Sequence, residues 1–285
     1  MTRSDSTANP PLGIKIARVD YDDEESLVSA LRDQQFLIIT LGARVPSEVH
    51  SKIVQAALKA RVAYIMPNVY GFDPYNVPAE IAHMYGSRYV GYMDEIEKGG
   101  ASYIVMSCGF WYEWSLATGE QWFGFDFKDR KVTLFDDGQG RINVSTWQQC
   151  GRALAALLSL PVDGASPSLS DWKNKQFFLS SFKVSQRDML DSVNRVMQTT
   201  DKDWEITRQP VSQRLEDGFE KLQNGQFFGF PKVLYGAYWI SGANKEHDSK
   251  HELINGVLGL PKEDLDTQTK VAVDMVESGW NPFGA

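Results

Sequence analysis

The chain has 285 residues, 42% of them hydrophobic and 12% aromatic, which suits a protein with a sizeable core and excludes a disordered or fibrous one. Its 37 acidic residues against 29 basic give a net charge of -8 with no Lys/Arg cluster, so a nucleic-acid-binding role is disfavoured. Cys108 and Cys150 form neither a disulfide framework nor a metal-ligand spacing, no apolar run reaches transmembrane length, and MTRSDSTANPPLG is polar where a signal peptide is apolar; together these predict a soluble cytoplasmic protein.

The first dozen residues read as a loop that follows the end of an element. Ile14, Ile16 and Val19 form a β-branched run, and Asp22 or Asp23 caps a helix with Glu24 and Glu25 in its first turn and an apolar face at Leu27, Ala30 and Leu31. Residues 36–39 are a continuous apolar run, as in a strand buried on both faces of a parallel sheet. Pro46 and Ser47 open a helix with Val49, Ile53, Ala56, Ala57 and Ala60 on its apolar face, and residues 62–66 are the next buried strand. After the loop PNVYGFDPYNVP, a long helix runs through Ile81, Tyr85, Tyr89, Tyr92 and Ile96 to Gly99 and Gly100, followed by a strand at 102–107. Strands alternating with helices predict βαβ units and an open, mostly parallel sheet, an α/β fold.

The second half is less regular. Asp136 and Asp137 mark a turn, and a strand at 142–144 leads into a helix ending near Pro161. Gly164, Ala165, Ser166 and Pro167 make a hinge, which divides the chain into 1–163 and 164–285. Beyond it, strands are predicted at 175–182 and 204–208, a helix at 185–197, and helical segments at 253–260 and 271–276. The aromatic-rich 227–239, if helical, places Val233, Tyr235, Tyr238 and Trp239 either along a substrate pocket or in a core.

Ligands of parallel sheets bind beyond the carboxyl ends of the strands. That rule singles out residues 40–44 (TLGAR), 67–71 (PNVYG) and 107–112 (SCGFWY). Gly42, Gly71 and Gly109 are turn residues or places where backbone closely approaches a flat or phosphorylated ligand. No G-x-G-x-x-G precedes the first identifiable strand. Other chemistries find no support: there is no G-x-S-x-G, Cys108 has no histidine that sequence identifies as a partner, and His247 and His251 lie in KEHDSKHE, which reads as a solvated helix start and not as a zinc site.

Four stretches in order, GIKIARVDYDDEESLVSAL, ALKARVAYIMPNVYGFD, MDEIEKGGASYIVMSCGFW and GQGRINVSTWQQCGRALAALLSLP, resemble the NmrA-like and isoflavone-reductase-like branch of the atypical short-chain dehydrogenases over roughly residues 2–160. The resemblance implies an NAD(P)-binding Rossmann-like domain over 1–163, a smaller substrate-binding domain over 164–285, and NADP(H) as cofactor of a reductase acting on a small aromatic or secondary-metabolite-like compound. Met1 to Ser4 then resemble the end of the family's second strand, so that a first βαβ crossover of about 30 residues is expected to be lacking. Arg3 matches the position that reads the 2′-phosphate, Thr40, Leu41 and Gly42 the turn near the adenine ribose and pyrophosphate, Pro67, Asn68 and Gly71 the nicotinamide side, and Gly109 and Phe110 a segment flanking nicotinamide and substrate. The family's proton-donating lysine falls on Tyr89, which either donates a proton itself or joins Tyr85 and Tyr92 in an aromatic packing face; Met93 stands where short-chain dehydrogenases of the ordinary type place their lysine. The same resemblance admits a noncatalytic dinucleotide-responsive regulator, or an inactive truncated product.

Overall fold

A computed structural model describes residues 1–7, 10–42, 45–240 and 246–283, apart from the Tyr85 side chain. The chain begins with β1 (Thr2–Arg3), β2 (Arg18–Val19), α1 (Glu24–Leu31), β3 (Phe36–Ile38), α2 (Ser47–Lys59), β4 (Tyr64–Met66), α3 (Ala82–Lys98) and β5 (Ser102–Ser107). All pairings among these strands are parallel, with Phe36 opposite Tyr64 and Ile65 opposite Tyr103. This is the α/β fold that the alternation predicts, with the Rossmann-like arrangement that the resemblance implies. The sheet is in two parts: β1 pairs only with β2, while β3, β4 and β5 continue to β10 (Lys175–Phe178). Residues of β1 and of the turns after β2 and β3 line one cleft.

Local chemistry sets the helix ends as the sequence predicts. The Asp23 carboxylate accepts the N–H groups of Glu25 and Ser26 and caps α1. Leu27, Ile53, Val54, Ala57, Met93 and Ile96 from α1, α2 and α3 bury one face against Val19, Ile65 and Val105, and each large aliphatic side chain so buried contributes roughly 2 kcal/mol.

The rest of the chain forms β6 (Phe110–Trp111), α4 (Tyr112–Ala117), β7 (Phe125–Asp126), β8 (Lys131–Phe135), β9 (Arg141–Ser145), α5 (Trp147–Leu158), β11 (Phe182–Ser185), α6 (Gln186–Met197), β12 (Glu205–Gln209), α7 (Val211–Gln223), α8 (Gly229–Trp239), α9 (His247–Lys250) and α10 (Leu265–Glu277). Two three-stranded sheets, ordered β11-β9-β6 and β12-β8-β7, share an aromatic core with α4, α6, α7, α8 and α10.

Several expectations need correction. The 14–19 run contracts to two strand residues, with Ile14 and Ile16 exposed, because only Arg18 and Val19 face β1. The single strand at 175–182 is two: β10 joins β5 in the main sheet, and β11 turns away to pair antiparallel with β9. Since β10 follows the hinge, the main sheet draws on both sides of the 163/164 division. Residues 254–259 are turns and not a helix, and Leu253 forms a parallel bridge with Phe178. His247 is fully buried and not a solvated helix start, its N–H donating to Asn143 Oδ1 at 2.6 Å while its ring lies edge-on to Phe72 and Phe178.

His50 is buried too, its Nε2 accepting the Asn68 N–H at 3.3 Å and its ring stacking on Tyr92 at 3.6 Å. Burial, and after it the charges of Arg88 and His251 respectively, lowers His50 and His247 to about 4. Above pH 6.5 both are neutral in folded and unfolded chains alike and add no pH dependence. As pH falls from 6.5 toward 4 the unfolded chain takes up protons that the folded chain refuses, so stability is lost by up to roughly 3 kcal/mol per histidine. Urea denaturation across this range is expected to show the loss, and His50→Gln to remove about half of it; equal slopes in wild type and variant would refute the assignment to His50.

Candidate active site

Two hydrogen bonds bring the ends of β4 and β5 together: Cys108 N–H donates to Tyr70 O at 3.2 Å and Gly109 N–H to Gly71 O at 3.0 Å. Gly109 sits at φ +66°, where a Cβ would lie 2.4 Å from the Asn143 carbonyl oxygen, so the turn closes on β9 only because the residue is glycine. Gly71 has open space around its Cα, leaving its backbone accessible to a ligand.

Above this junction lies a cavity of about 310 Å³. Its walls are Tyr70, Gly71, Phe72, Pro74 and Val77 after β4, Tyr89 from α3, Gly109, Phe110 and Trp111 after β5, Trp114 and Trp122, and Phe230, Pro231, Leu234, Tyr235 and Tyr238 from α8. No charged side chain is among them. Phe110 stacks on Tyr235 and Phe72 on Tyr238, both at 3.8 Å, so the helix is fixed to the strand ends by flat apolar contacts.

The cavity's tyrosines differ in what their hydroxyls do. Tyr70 donates to Ile39 O at 2.8 Å, and Tyr235 shares a 2.7 Å hydrogen bond with Ser115 Oγ. Tyr89 is pushed up to about 12, mainly by burial, with Tyr92 adding to the rise and Arg88 opposing it. A phenol so raised keeps its proton at neutral pH, and Tyr89 lies in the cavity wall, its ring 6.3 Å from that of Tyr92.

A second concavity, about 850 Å³, opens beyond the carboxyl ends of β1, β2 and β3. It is lined by residues 1–5, 19–22 and 40–42, with Val45, Pro46 and Val49 at the amino end of α2. Pro46 provides no side-chain cap for that helix; Val49 N–H is taken by Pro46 O at 3.2 Å, and Glu48 stands in the first turn at its positive dipole end. Arg3 stands in the same cleft, two-thirds exposed and 3.5 Å from Asp5. The donors that could meet a phosphorylated adenosine here are one guanidinium, the backbone of Thr40 to Gly42 and a helix amino terminus, and the carboxylates of Asp5, Asp20 and Asp22 share the lining with them.

The residues singled out in the sequence thus divide between two places. Arg3, Thr40, Leu41 and Gly42 line the cleft; Tyr89, Gly71, Gly109 and Phe110 line the cavity. Ala43 and Arg44 lie outside the described residues. Pro67 and Asn68 line neither space; the Asn68 amide accepts Leu41 N–H at 3.0 Å and donates to Leu41 O at 3.1 Å, stitching the two turns together. Of the 227–239 candidates, Tyr235 and Tyr238 face the cavity while Val233 and Trp239 are core. Tyr112, from the SCGFWY segment, points away and hydrogen-bonds Thr269 at 2.6 Å.

Phe72, Trp122, Phe230 and Leu234 escaped the sequence reading. Phe72 and the α8 residues sit beside residues that were found. Trp122 carries no local signal, because a tertiary ion pair positions its segment: Arg214 donates to Glu120 Oε1 and to Glu120 O, both at 2.7 Å. Among the described residues no group of three or more His, Cys, Asp or Glu is placed to hold a metal ion, and no helix is long and apolar enough to cross a membrane.

No protein-family model matches the chain. An oxidoreductase of Aspergillus flavus, aprR, is 23% identical over 273 residues, covering 93% of this chain and 86% of that protein. The crystal structure of isoflavone reductase superposes with a TM-score of 0.72 at 19% identity, covering 93% of this chain and 87% of the other. A structure of AtPrR2 with NADP+ and (+)-pinoresinol gives 0.67 at 15% identity, covering 90% and 81%.

Proposed function

The chain has the fold of isoflavone reductase, and from that premise we propose that it is an NADP(H)-dependent oxidoreductase that reduces a small, uncharged aromatic compound. The observation that carries the reading is the charge-free aromatic cavity at the β4 and β5 strand ends, with Tyr89 in its wall. The AtPrR2 complex, with NADP+ and an aromatic ligand on the same fold, supports it.

In this reading residues 1–163 hold the cofactor and the half after the hinge closes over the substrate through α8. Arg3, the Thr40–Gly42 backbone and the α2 amino end hold the adenosine and its phosphates, and Gly71 and Gly109 bound the space for the nicotinamide. NADPH, when bound, supplies a hydride. Phe110, Phe72, Tyr235 and Tyr238 orient a flat substrate and exclude water, and Tyr89 Oη releases its proton to the reduced substrate and is reprotonated from solvent. Free Cys108 and Cys150 suit a reducing cytoplasm.

A second reading, a noncatalytic dinucleotide-responsive regulator, is favoured by one observation, the tyrosine at the position where the resemblance expects a catalytic lysine. Calorimetric titration with NADPH and NADH, followed by NADPH oxidation against a panel of quinones and aromatic enones, separates the two. Preferential NADPH binding with turnover supports the reductase; binding without turnover on any of the panel supports the regulator. Tyr89→Phe is expected to lower kcat about 100-fold with KM little changed. Undiminished turnover would remove Tyr89 from the chemistry.

A further inference from the structure

Four tyrosines stand in the cavity wall, and two of them, Tyr70 and Tyr235, give their hydroxyls to protein partners. Tyr238 does not: the residue is 4% exposed, and among the described residues none hydrogen-bonds its hydroxyl. Nor is that hydroxyl sealed in the core, as the indole N–H of Trp239 beside it is. Buried polar groups pair with protein, water or ligand because an unpaired one costs free energy. A phenol on a cavity wall with no protein partner is therefore a place for the oxygen of a ligand.

Packing fixes where the phenol sits. Phe72 stacks on its ring, and Phe110 meets it edge-on at 5.7 Å and 88°, so Tyr238 is clamped between the segments that follow β4 and β5. Burial raises the hydroxyl above the ordinary phenol range, with Tyr89 and then Asp73 adding to the rise, so it keeps its proton and acts as a donor. The Asp73 carboxylate is itself occupied, accepting Tyr75 N–H at 3.0 Å and a hydrogen bond from the Asn76 side-chain amide. No charged side chain lines the cavity, so an anionic oxygen would find no counter-charge there, whereas a neutral acceptor needs none. We propose that Tyr238 is a specificity-determining residue whose hydroxyl donates a hydrogen bond to a carbonyl oxygen of the substrate. It selects an uncharged ketone, enone or quinone over a molecule of the same shape without that oxygen, because the analogue leaves the buried donor unpaired. The assignment rests on the reading of the cavity as the substrate site.

The test uses the full chain loaded with NADP+, which has no hydride to transfer, and calorimetric titration with benzylideneacetone and with the hydrocarbon in which its carbonyl is a methylene. Wild type is expected to bind the ketone about tenfold more tightly than the hydrocarbon. Tyr238→Phe, which keeps the ring on Phe72, is expected to abolish that preference while leaving the affinities for the hydrocarbon and for NADP+ unchanged. Equal binding of the two compounds by wild type, or a preference that survives Tyr238→Phe, overturns the assignment and leaves the cavity reading standing. A variant that loses affinity for NADP+ and keeps its preference for the ketone puts the hydroxyl on the nicotinamide carboxamide, which overturns it too. If neither compound binds wild type, the cavity reading falls and the role of Tyr238 with it.

Discussion

Gly109→Ala is expected to destabilise the protein by about 3–5 kcal/mol or to prevent its accumulation in soluble form. Two costs add. The left-handed φ of +66° disfavours any side chain, and the new Cβ would stand 2.4 Å from the Asn143 carbonyl oxygen and 3.6 Å from Val144 Cα. These neighbours are backbone atoms of the central strand β9, which also pairs with β6 and β11, so relief requires the sheet to shift. Gly71→Ala is the matched control, because nothing lies within 4 Å of its added Cβ and its φ is not positive. It is expected to alter unfolding free energy by less than about 0.5 kcal/mol while weakening whatever approaches that backbone. Urea unfolding of both variants measures the contrast, and a Gly109→Ala protein within about 1 kcal/mol of wild type would refute it.

Arg214→Met is expected to cost about 3–5 kcal/mol. Arg214 is fully buried, its guanidinium lies over the Phe135 ring at 4.1 Å, and besides Glu120 it reaches Gln209 Oε1 at 3.3 Å. Burial raises the Glu120 carboxyl, but the charges and hydrogen bonds of Arg214, and then Lys232, outweigh that and hold it below the ordinary carboxylate range. Removing the arginine leaves a largely buried carboxylate with Lys232 at 3.7 Å and the more distant charge of Lys221. Adding Glu120→Leu is expected to restore part of the loss, and adding Lys232→Met more, since an apolar set of similar volume replaces the charges. Because residue 120 positions Trp122, single and triple variants are also expected to differ in affinity for the quinones of the panel. Equal stability of Arg214→Met and wild type would refute the role given to the pair.

Much of the first half is legible in the sequence because its signals are local. Asp23 with Glu24 and Glu25 marks a helix start that the hydrogen bonds reproduce, and the apolar runs around Leu37, Ile65 and Ile104 are strands, the last buried on both faces and the first two with Phe36, Ile38 and Tyr64 only partly buried. The rule that ligands meet parallel sheets at their carboxyl ends leads directly to Gly42, Gly71 and Gly109. It does not say which space each residue serves. Asn68 reads as a ligand-side residue, yet its amide is occupied by Leu41 backbone from a neighbouring turn. His247, in a polar stretch, is buried because Phe72, Phe178 and Asn143 come to it from three other segments.

The sequence by itself determined an α/β chain with parallel strands, the position of its strand-end turns, and the aromatic character of residues 110–114 and 227–239. These follow from side-chain periodicity and from the backbone needs of glycine and of helix caps, which act over a few residues. The tertiary structure alone decided that β10 returns to the main sheet after the hinge, that Gly109 is required by β9, and that a ring from residue 122 closes the cavity. Those outcomes depend on contacts between segments many residues apart, such as the Arg214–Glu120 pair and the stacking of α8 on Phe110 and Phe72, whose partners no local pattern names.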